Sequence, residues 1–297
     1  MIKPLVFALH GHDALAAALV TQLNAEAGIL TLRRFPDGES YLRYDTPVAG
    51  RAVILVCNLH DPDAKIPQLL FAAAAARELG ATQTGLVAPY LVYMRQDRKF
   101  QAGEALTSVT FAGLISNSFD WLVTVDPHLH RYHALSEIYR IPSRVVQAAP
   151  VIAQWIKENV TTPWLIGPDE ESAQWVGAVA RAAGAPFAVL KKIRHGDRDV
   201  EVSVPDAASR TNHTPVLVDD IISTGSTMAG TIAHLQRAGL PPPVCIGVHA
   251  VFAPQAHAEL LIAGALRIVT CNTVPHRSNA ITLDAQIAAA ASELLPR

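Results

Sequence analysis

"VLVDDIISTGSTMAGTI", Val216 to Ile232, places three aliphatic residues ahead of two adjacent aspartates and then a run of small hydroxyl and glycine residues. A short apolar run, a Gly/Ser/Thr loop and then Met228-Ala229-Gly230-Thr231-Ile232 at helical spacing predict strand, loop and helix in that order. Such a loop gathers backbone N–H groups and a helix N-terminus at one spot. Thr224, Ser226 and Thr227 add hydroxyl donors that suit a phosphate monoester. Asp219 and Asp220 would repel that phosphate, so they are expected to face sugar hydroxyls, a metal ion, or both. The order therefore fits a phosphorylated sugar. A helix cap at Ser223 or Thr224 needs one such residue and leaves the rest of the run without a reason.

The rest of the chain bounds what is done to that sugar. Its 297 residues, 50% of them hydrophobic, suffice for two packed cores. Lys and Arg number 24 against 26 acids, a formal charge of -2, so no basic field points to nucleic acid as a partner. Cys57, Cys245 and Cys271 are odd in number, far apart and without CxxC spacing. They are expected to be buried apolar residues in a reducing compartment, not disulfides or zinc ligands. "MIKPLVFALHGHD" reaches His10 and Asp13 too early for a signal peptide, and no apolar run is long enough to cross a membrane. A cytoplasmic protein is expected.

Apolar runs alternate with alanine-rich helical segments: "PLVFALH", "ALAAALVTQLNAEAG", "AVILVCNL", "IPQLLFAAAAARELGA", "TGLVAPYL". Alternation of this kind predicts an α/β protein with parallel strands joined by helices. Beyond Pro150 the order recurs. "PWLIGPDEESAQWVGAVARAAGA" follows the opening strand and helix, and "PVLVDDIISTGSTMAGTIAHLQRAGL" with "VCIGVHAVF" follows the third to fifth segments, offset by about 160 residues. Two halves of similar fold are expected, divided near Ala148. Ligands of open α/β sheets gather at the carboxyl ends of strands, which directs attention to the loops there.

Several of those loops carry charge. "FPDGESYLRY" projects Phe35, Asp37 and Glu39 from a turn, although Pro-Asp-Gly is also an ordinary hairpin turn. "VYMRQDRKFQAGEALTS" packs Arg95, Arg98 and Lys99 around Gln96 and Asp97, as a polyphosphate site or a solvated loop would. "WLVTVDPHLHRYH" ends a strand in Asp126, His128, His130 and His133. Pro127 argues against a His-x-His transition-metal pair, and one imidazole with a carboxylate suits a magnesium ion that keeps most of its water. "LIGPDEES" offers Asp169, Glu170 and Glu171 as metal-directed or helix-terminal acids. In "VLKKIRHGDRDVEV", Lys192 and Arg194 at i and i+2 face one way on a strand, where they suit a transferring phosphoryl group. Together these clusters imply a reaction between a sugar phosphate and a nucleoside polyphosphate. No GxxxxGK[ST] occurs, so the nucleotide is not held by a P-loop.

"RFPDGE", "PYLVYMRQDRK", "TVDPHLH", "IGPDEES", Lys192-x-Arg194 and "VDDIISTGST" occur in an order and at a spacing that resemble the ribose-phosphate diphosphokinases, or phosphoribosyl diphosphate (PRPP) synthetases, as far as about Ile281. "FQAGEALTS" and "DDIISTGST" resemble the archaeal-type members more than the bacterial and mammalian ones. The resemblance implies two tandem type-I phosphoribosyltransferase-like domains, Rossmann-like with mainly parallel sheets: residues 1–147 on the nucleotide side, 148–280 with the ribose 5-phosphate loop, and a tail, 281–297, packing back on the first. It implies transfer of a diphosphoryl group from ATP to the 1-hydroxyl of ribose 5-phosphate, with Mg2+, in a homo-oligomer whose nucleotide site is shared between subunits. It assigns ATP to Phe35, Asp37, Glu39, Arg95 and Gln96, and magnesium to His128 and Asp169. Lys192 and Arg194 become the catalytic cations on a mobile loop. Asp219 and Asp220 take the ribose hydroxyls, and Ser223, Thr224, Gly225, Ser226 and Thr227 take the 5-phosphate.

Departures from the family pattern are Pro127 in place of leucine, Glu170-Glu171 where bacterial and mammalian members have two glycines, and Gly225-Ser226 in place of Gly-Gly. The glutamates either add metal ligands or alter the substrate pose, and the changed "FQAGEALTS" stretch argues against ADP inhibition of the bacterial and mammalian kind. Two other functions share part of the pattern: a phosphoribosyltransferase that consumes the diphosphate, and a non-catalytic regulatory paralogue. Phe35 to Glu39 with Arg95 and Gln96 argue against the first, and retention of Lys192, Arg194 and His128 against the second.

Overall fold

Apolar strands followed by alanine-rich helices can bury both faces of a parallel sheet only by laying helices on each side, and the chain does this twice. In this computed structural model the described residues are 2–99, 101–129, 131–168, 172–195, 199–203 and 209–296, with the backbone alone described for 191–195 and 199–203. They form two compact units, one of Met1–Val146, Thr273–Pro275 and Asp284–Arg297, the other of Gln147–Asn272 and His276–Leu283.

Unit 1 runs β1 (Leu5–Leu9), α1 (Asp13–Gln22), β2 (Glu26–Ala27), β3 (Leu30–Arg34), β4 (Ser40–Tyr44), β5 (Ala52–Cys57), α2 (Ile66–Glu78), β6 (Gln83–Val87), α3 (Thr107–Ser118), β7 (Trp121–Val125) and β8 (Ser143–Val146). Six strands pair in the order β2-β1-β5-β6-β7-β8, all parallel. Leu5, Phe7 and Leu9 alternate onto one face beside Val53, Leu55 and Cys57, and α2 covers them with Leu69, Ala72, Ala73 and Ala76. Those four helix positions recur at i, i+3, i+4 and i+7, so one stripe of α2 is apolar, and its alanines let it lie close to the sheet. β3 and β4 stand apart as an antiparallel hairpin, Leu30 opposite Tyr44, closed at the Pro-Asp-Gly turn that the sequence offered as a hairpin turn.

Unit 2 runs α4 (Ala149–Asn159), β9 (Pro163–Gly167), α5 (Ala173–Ala183), β10 (Phe187–Val189), β11 (Lys191–His195), β12 (Asp199–Ser203), β13 (Thr214–Ile222), α6 (Ser226–Arg237), β14 (Val244–Ala250), α7 (Ala256–Ile262), β15 (Arg267–Cys271) and β16 (Asn279–Ile281). Its sheet order, β10-β9-β13-β14-β15-β16, repeats that of unit 1 strand for strand, and again all pairs are parallel. β11 and β12 form a separate antiparallel pair. The last helix, α8 (Asp284–Ser292), belongs to unit 1, where it meets α1, β7 and β8. Arg144 Nε donates to Glu293 Oε2 at 2.7 Å and Gln83 Nε2 to the Leu294 carbonyl at 3.2 Å.

In each unit the chain leaves the first long strand toward one side and returns on the other. That reversal opens a crevice at the carboxyl ends of β1 and β5 in unit 1, and of β9 and β13 in unit 2. All three cysteines are buried and free. Among the described residues no helix is long and apolar enough to cross a membrane.

Candidate active site

β13 is buried from Pro215 to Val218 and then half-exposed at Asp219, Asp220 and Ile221. The strand therefore changes character at the edge of the core, where the two carboxylates begin. The Asp220 amide donates to Asp219 Oδ1 at 3.0 Å. After Ile222 the chain bends through Ser223 and Thr224 to Gly225, whose φ of +71° sets the N-terminus of α6. Only glycine takes that conformation without strain, and a Cβ there would also stand 3.1 Å from Leu260 Cγ. The Ala253 amide, bonded to the Ser223 carbonyl at 3.1 Å, fixes the loop from the β14 side.

The helix starts at Ser226, two residues before the expected Met228, so Ser226 and Thr227 occupy its first turn. Its first internal bond runs from the Ala229 amide to the Gly225 carbonyl, 2.8 Å. The amides of residues 226–228 lie ahead of that bond and point out of the helix end, where partial positive charge gathers. Thr224, Ser226 and Thr227 are exposed, and Thr224 Oγ1 accepts from Ser226 Oγ at 3.0 Å. Met228, Ile232 and Leu235 on the opposite face are buried against Leu217, Ile222, Cys245 and Leu260. Burial of each is worth about 1.5–3 kcal/mol, enough to hold the helix end in place without help from its exposed face. Two half-exposed acids, a glycine corner and a helix N-terminus rich in hydroxyls thus follow one another within nine residues, Asp219 to Thr227.

Lys192 and Arg194 lie on β11, opposite Val202 and Val200 of β12. The strand form expected for them holds, with both at same-face positions. Asp169, Glu170 and Glu171 lie outside the described residues.

In unit 1 "FPDGE" is a hairpin turn and an exposed platform at once. Phe35 and Glu39 close the turn through the Phe35 amide and the Glu39 carbonyl, 2.8 Å, while Gly38 takes φ +94°. Phe35, Asp37 and Glu39 all project from it, Phe35 at 39% exposure. Nothing in the residues around Arg33 singles it out, yet its guanidinium lies 3.9 Å from the Tyr41 ring centroid and 4.7 Å from that of Phe35. Phe35 and Tyr41 meet edge-on at 6.0 Å. The signal was Arg33 and Tyr41 at cross-strand positions of one hairpin, which only the pairing reveals.

Beyond β6, Arg95 is exposed and Gln96 half-buried, its Oε1 accepting from Thr107 Oγ1 at 3.0 Å. Asp97, 8% exposed, faces Arg131 at 3.7 Å, so this acid is an anchor for the loop more than a ligand group. Tyr93, at φ +60°, donates its hydroxyl to Asp63. After β7, Asp126 takes φ +31°, Pro127 is buried and His128 is half-exposed. His130 lies outside the described residues. Among the described residues no three His, Cys, Asp or Glu side chains converge on one point. Magnesium does not require such a cage, because it keeps its waters and takes substrate phosphate oxygens with one or two protein ligands. One ligand such as His128 is compatible with that chemistry.

Residues 4–118 match the family model for the N-terminal domain of ribose phosphate pyrophosphokinase, and residues 134–286 match that of the phosphoribosyl transferase domain. The chain is 31% identical to the ribose-phosphate pyrophosphokinase of Sulfolobus acidocaldarius over 84% of this chain and 86% of the relative. It is 31% identical to that of Methanopyrus kandleri over 94% of this chain and 96% of the relative. Its fold is similar to the crystal structure of phosphoribosylpyrophosphate synthetase from Mycobacterium smegmatis, with TM-score 0.83 and 24% identity, covering 98% of this chain and 99% of that one.

Proposed function

The chain belongs to the ribose-phosphate pyrophosphokinase family, and we propose that it transfers the β,γ-diphosphoryl group of ATP to the 1-hydroxyl of ribose 5-phosphate, releasing 5-phosphoribosyl 1-diphosphate and AMP. The observation that carries this reading is the loop from Asp219 to Thr227. Asp219 and Asp220 accept hydrogen bonds from the ribose 2- and 3-hydroxyls. The amides of residues 226–228 and the hydroxyls of Thr224, Ser226 and Thr227 hold the 5-phosphate at the N-terminus of α6.

Unit 1 supplies the nucleotide side. Phe35 offers a ring face for adenine, Asp37 and Glu39 accept from its amino group and the nucleotide's hydroxyls, and Arg95 with Gln96 binds the phosphate chain. In the transfer, the sugar 1-oxygen gives up its proton and bonds to the β-phosphorus as the bond from that phosphorus to the α,β-bridging oxygen breaks, so AMP departs carrying the bridging oxygen. Negative charge spreads over the equatorial oxygens in this step. Lys192 and Arg194 are the cations proposed to stabilise it. His128 and Asp169 are the proposed magnesium ligands, and the ion they would hold would neutralise phosphate charge on the nucleotide. A homo-oligomer in which the Phe35 hairpin serves a neighbouring subunit completes the reading.

Nucleotide products separate this reaction from its alternatives. With ATP, Mg2+ and ribose 5-phosphate, chromatography is expected to show AMP and no ADP, and formation of AMP should stop when ribose 5-phosphate is left out. ADP would indicate an ordinary kinase. Consumption of added phosphoribosyl diphosphate with a free base, and none of ATP, would indicate a phosphoribosyltransferase.

A further inference from the structure

Four side chains that the assigned reaction does not use gather beyond the carboxyl ends of β14 and β15. Phe252 follows β14, His257 lies in the first turn of α7, and His276 and Arg277 precede β16. The Phe252 ring lies 4.6 Å from the His276 ring centre and 5.5 Å from that of His257, and the two imidazoles are 5.2 Å apart. Arg277 reaches across to His257, its Nη2 donating to Nδ1 at 3.0 Å. Both imidazoles are half-buried against Phe252, and Arg277 is exposed.

The hydrogen bonds around these rings fix which nitrogen of each carries the proton. Asn279 Oδ1 accepts from the His276 amide at 2.9 Å, which turns the Asn279 NH2 toward the Thr270 hydroxyl (2.9 Å) and the Cys271 carbonyl (2.8 Å). Thr270 Oγ1 lies 2.8 Å from Ser278 Oγ, and that hydroxyl lies 2.7 Å from His276 Nδ1. The Ser278 amide donates to the same Nδ1 at 3.2 Å, so Nδ1 is an acceptor and the Ser278 hydroxyl donates to it as well. The ring proton of His276 is therefore on Nε2. His257 reaches the same state by another route: a guanidinium only donates, so Nδ1 accepts and Nε2 is protonated. Burial first, and neighbouring positive charge next, lower both pKa values, so both rings are neutral donors at neutral pH.

Two Nε2–H donors and a guanidinium thus stand together without an acceptor. No carboxylate bonds to any of the three among the described residues. The arrangement does not suit a metal ion, because each Nδ1 is already bonded and each Nε2 carries a proton, leaving neither ring a lone pair to give. It suits an anion, and packing against the Phe252 ring strengthens the hydrogen bonds such a ligand accepts. We propose that His257, His276 and Arg277 form a binding site for a carboxylate, the two Nε2–H groups and the guanidinium converging on the oxygens of one small organic acid. One positive charge matches the single charge of a carboxylate, whose two oxygens offer lone pairs enough for three donors. The site lies outside the loop of Asp219 to Thr227 and does not depend on the reaction assigned to that loop. It is nevertheless a neighbour, since Ala253, next to Phe252, holds the Ser223 carbonyl.

Long-range 1H–15N NMR of the full chain labelled with 15N-histidine tests this at neutral pH, with and without excess ribose 5-phosphate. His257 and His276, assigned by substitution, are both expected as Nε2–H tautomers. Sodium acetate, exchanged for sodium chloride at constant ionic strength, should move the ring resonances of both along one saturable curve. Arg277→Gln is expected to weaken acetate binding roughly tenfold, as loss of a charged hydrogen-bond donor does. His257→Phe, which keeps a ring against Phe252, should weaken it at the His276 resonances. Thermal melts show whether each variant folds; if His257→Phe does not, the exposed Arg277→Gln decides alone. A proton on either Nδ1, shifts that do not saturate, or a curve unchanged in Arg277→Gln would overturn the proposal. So would inorganic phosphate acting on the same resonances at much lower concentration than acetate. Loss of acetate binding when ribose 5-phosphate is present would overturn it as a separate site, and an unchanged curve would support it.

Discussion

Gly225 and Leu260 touch across the start of α6, so closely that a Cβ on residue 225 would stand 3.1 Å from two side-chain carbons of Leu260. Leu260 is fully packed in the core of unit 2 and cannot retreat. The corner that sets the direction of the first helix amides is therefore fixed by packing as well as by its φ of +71°.

Gly225→Ala is expected to cost about 1–2 kcal/mol from the left-handed backbone alone, and to shift the first turn of α6. Calorimetric titration with ribose 5-phosphate should show affinity down by roughly tenfold or more, since about 1.4 kcal/mol is a factor of ten. Unchanged affinity would remove the corner from the phosphate site.

Asp220→Ala and Lys192→Ala should separate ground-state binding from catalysis. The first removes an acceptor for the sugar and is expected to raise the ribose 5-phosphate KM. The second should lower kcat by several orders of magnitude with sugar binding nearly intact, because its charge matters mainly in the transition state. A parallel loss of sugar binding in Lys192→Ala would place that residue in the ground state instead.

Arg33 holds the Phe35 and Tyr41 rings by its guanidinium face, an exposed contact worth about 0.5–1 kcal/mol. Phe35→Ala is predicted to raise the ATP KM by roughly tenfold and Arg33→Ala by a few-fold, with the ribose 5-phosphate KM unchanged in both. Steady-state kinetics with each substrate varied in turn checks this; a rise confined to ribose 5-phosphate would contradict the nucleotide assignment.

His12 is buried, Nε2 lying 3.1 Å from the Thr273 carbonyl, and its pKa is pushed down to about 4, by burial first. With a folded value below the unfolded one of about 6.5, the unfolded chain binds the proton first as pH falls. Stability is therefore full above pH 6.5 and lost progressively between 6.5 and 4. The contribution lost by pH 5 is about 2 kcal/mol. Urea unfolding at pH 7.5 and 5 should show a drop in wild type that is smaller by this amount in His12→Gln; equal drops would show that His12 titrates normally.

Much of the fold was legible because its signals are local. β13 to α6 reads directly from an apolar run, a Gly/Ser/Thr loop and a helical stripe at Met228, Ile232 and Leu235. The tandem organisation was legible too, since both units repeat one strand order and Ile66 and Ser226 open equivalent helices. The exact start of α6 was not, because helix propensity at Ser226 and Thr227 is modest and the left-handed Gly225 decides the boundary. Pairing partners stayed hidden for the same reason that they matter. Arg33 over Tyr41 and His12 against Thr273 are set by sheet and loop closure, and no window of sequence contains both members of the second pair.

The most direct test of the central claim is 31P NMR of the protein with ATP, Mg2+ and ribose 5-phosphate. The account predicts AMP and a sugar-linked diphosphate appearing in equal amounts, the diphosphate coupled through carbon 1 of the ribose. ADP with a sugar bisphosphate, or no new phosphorus resonance at all, would contradict it.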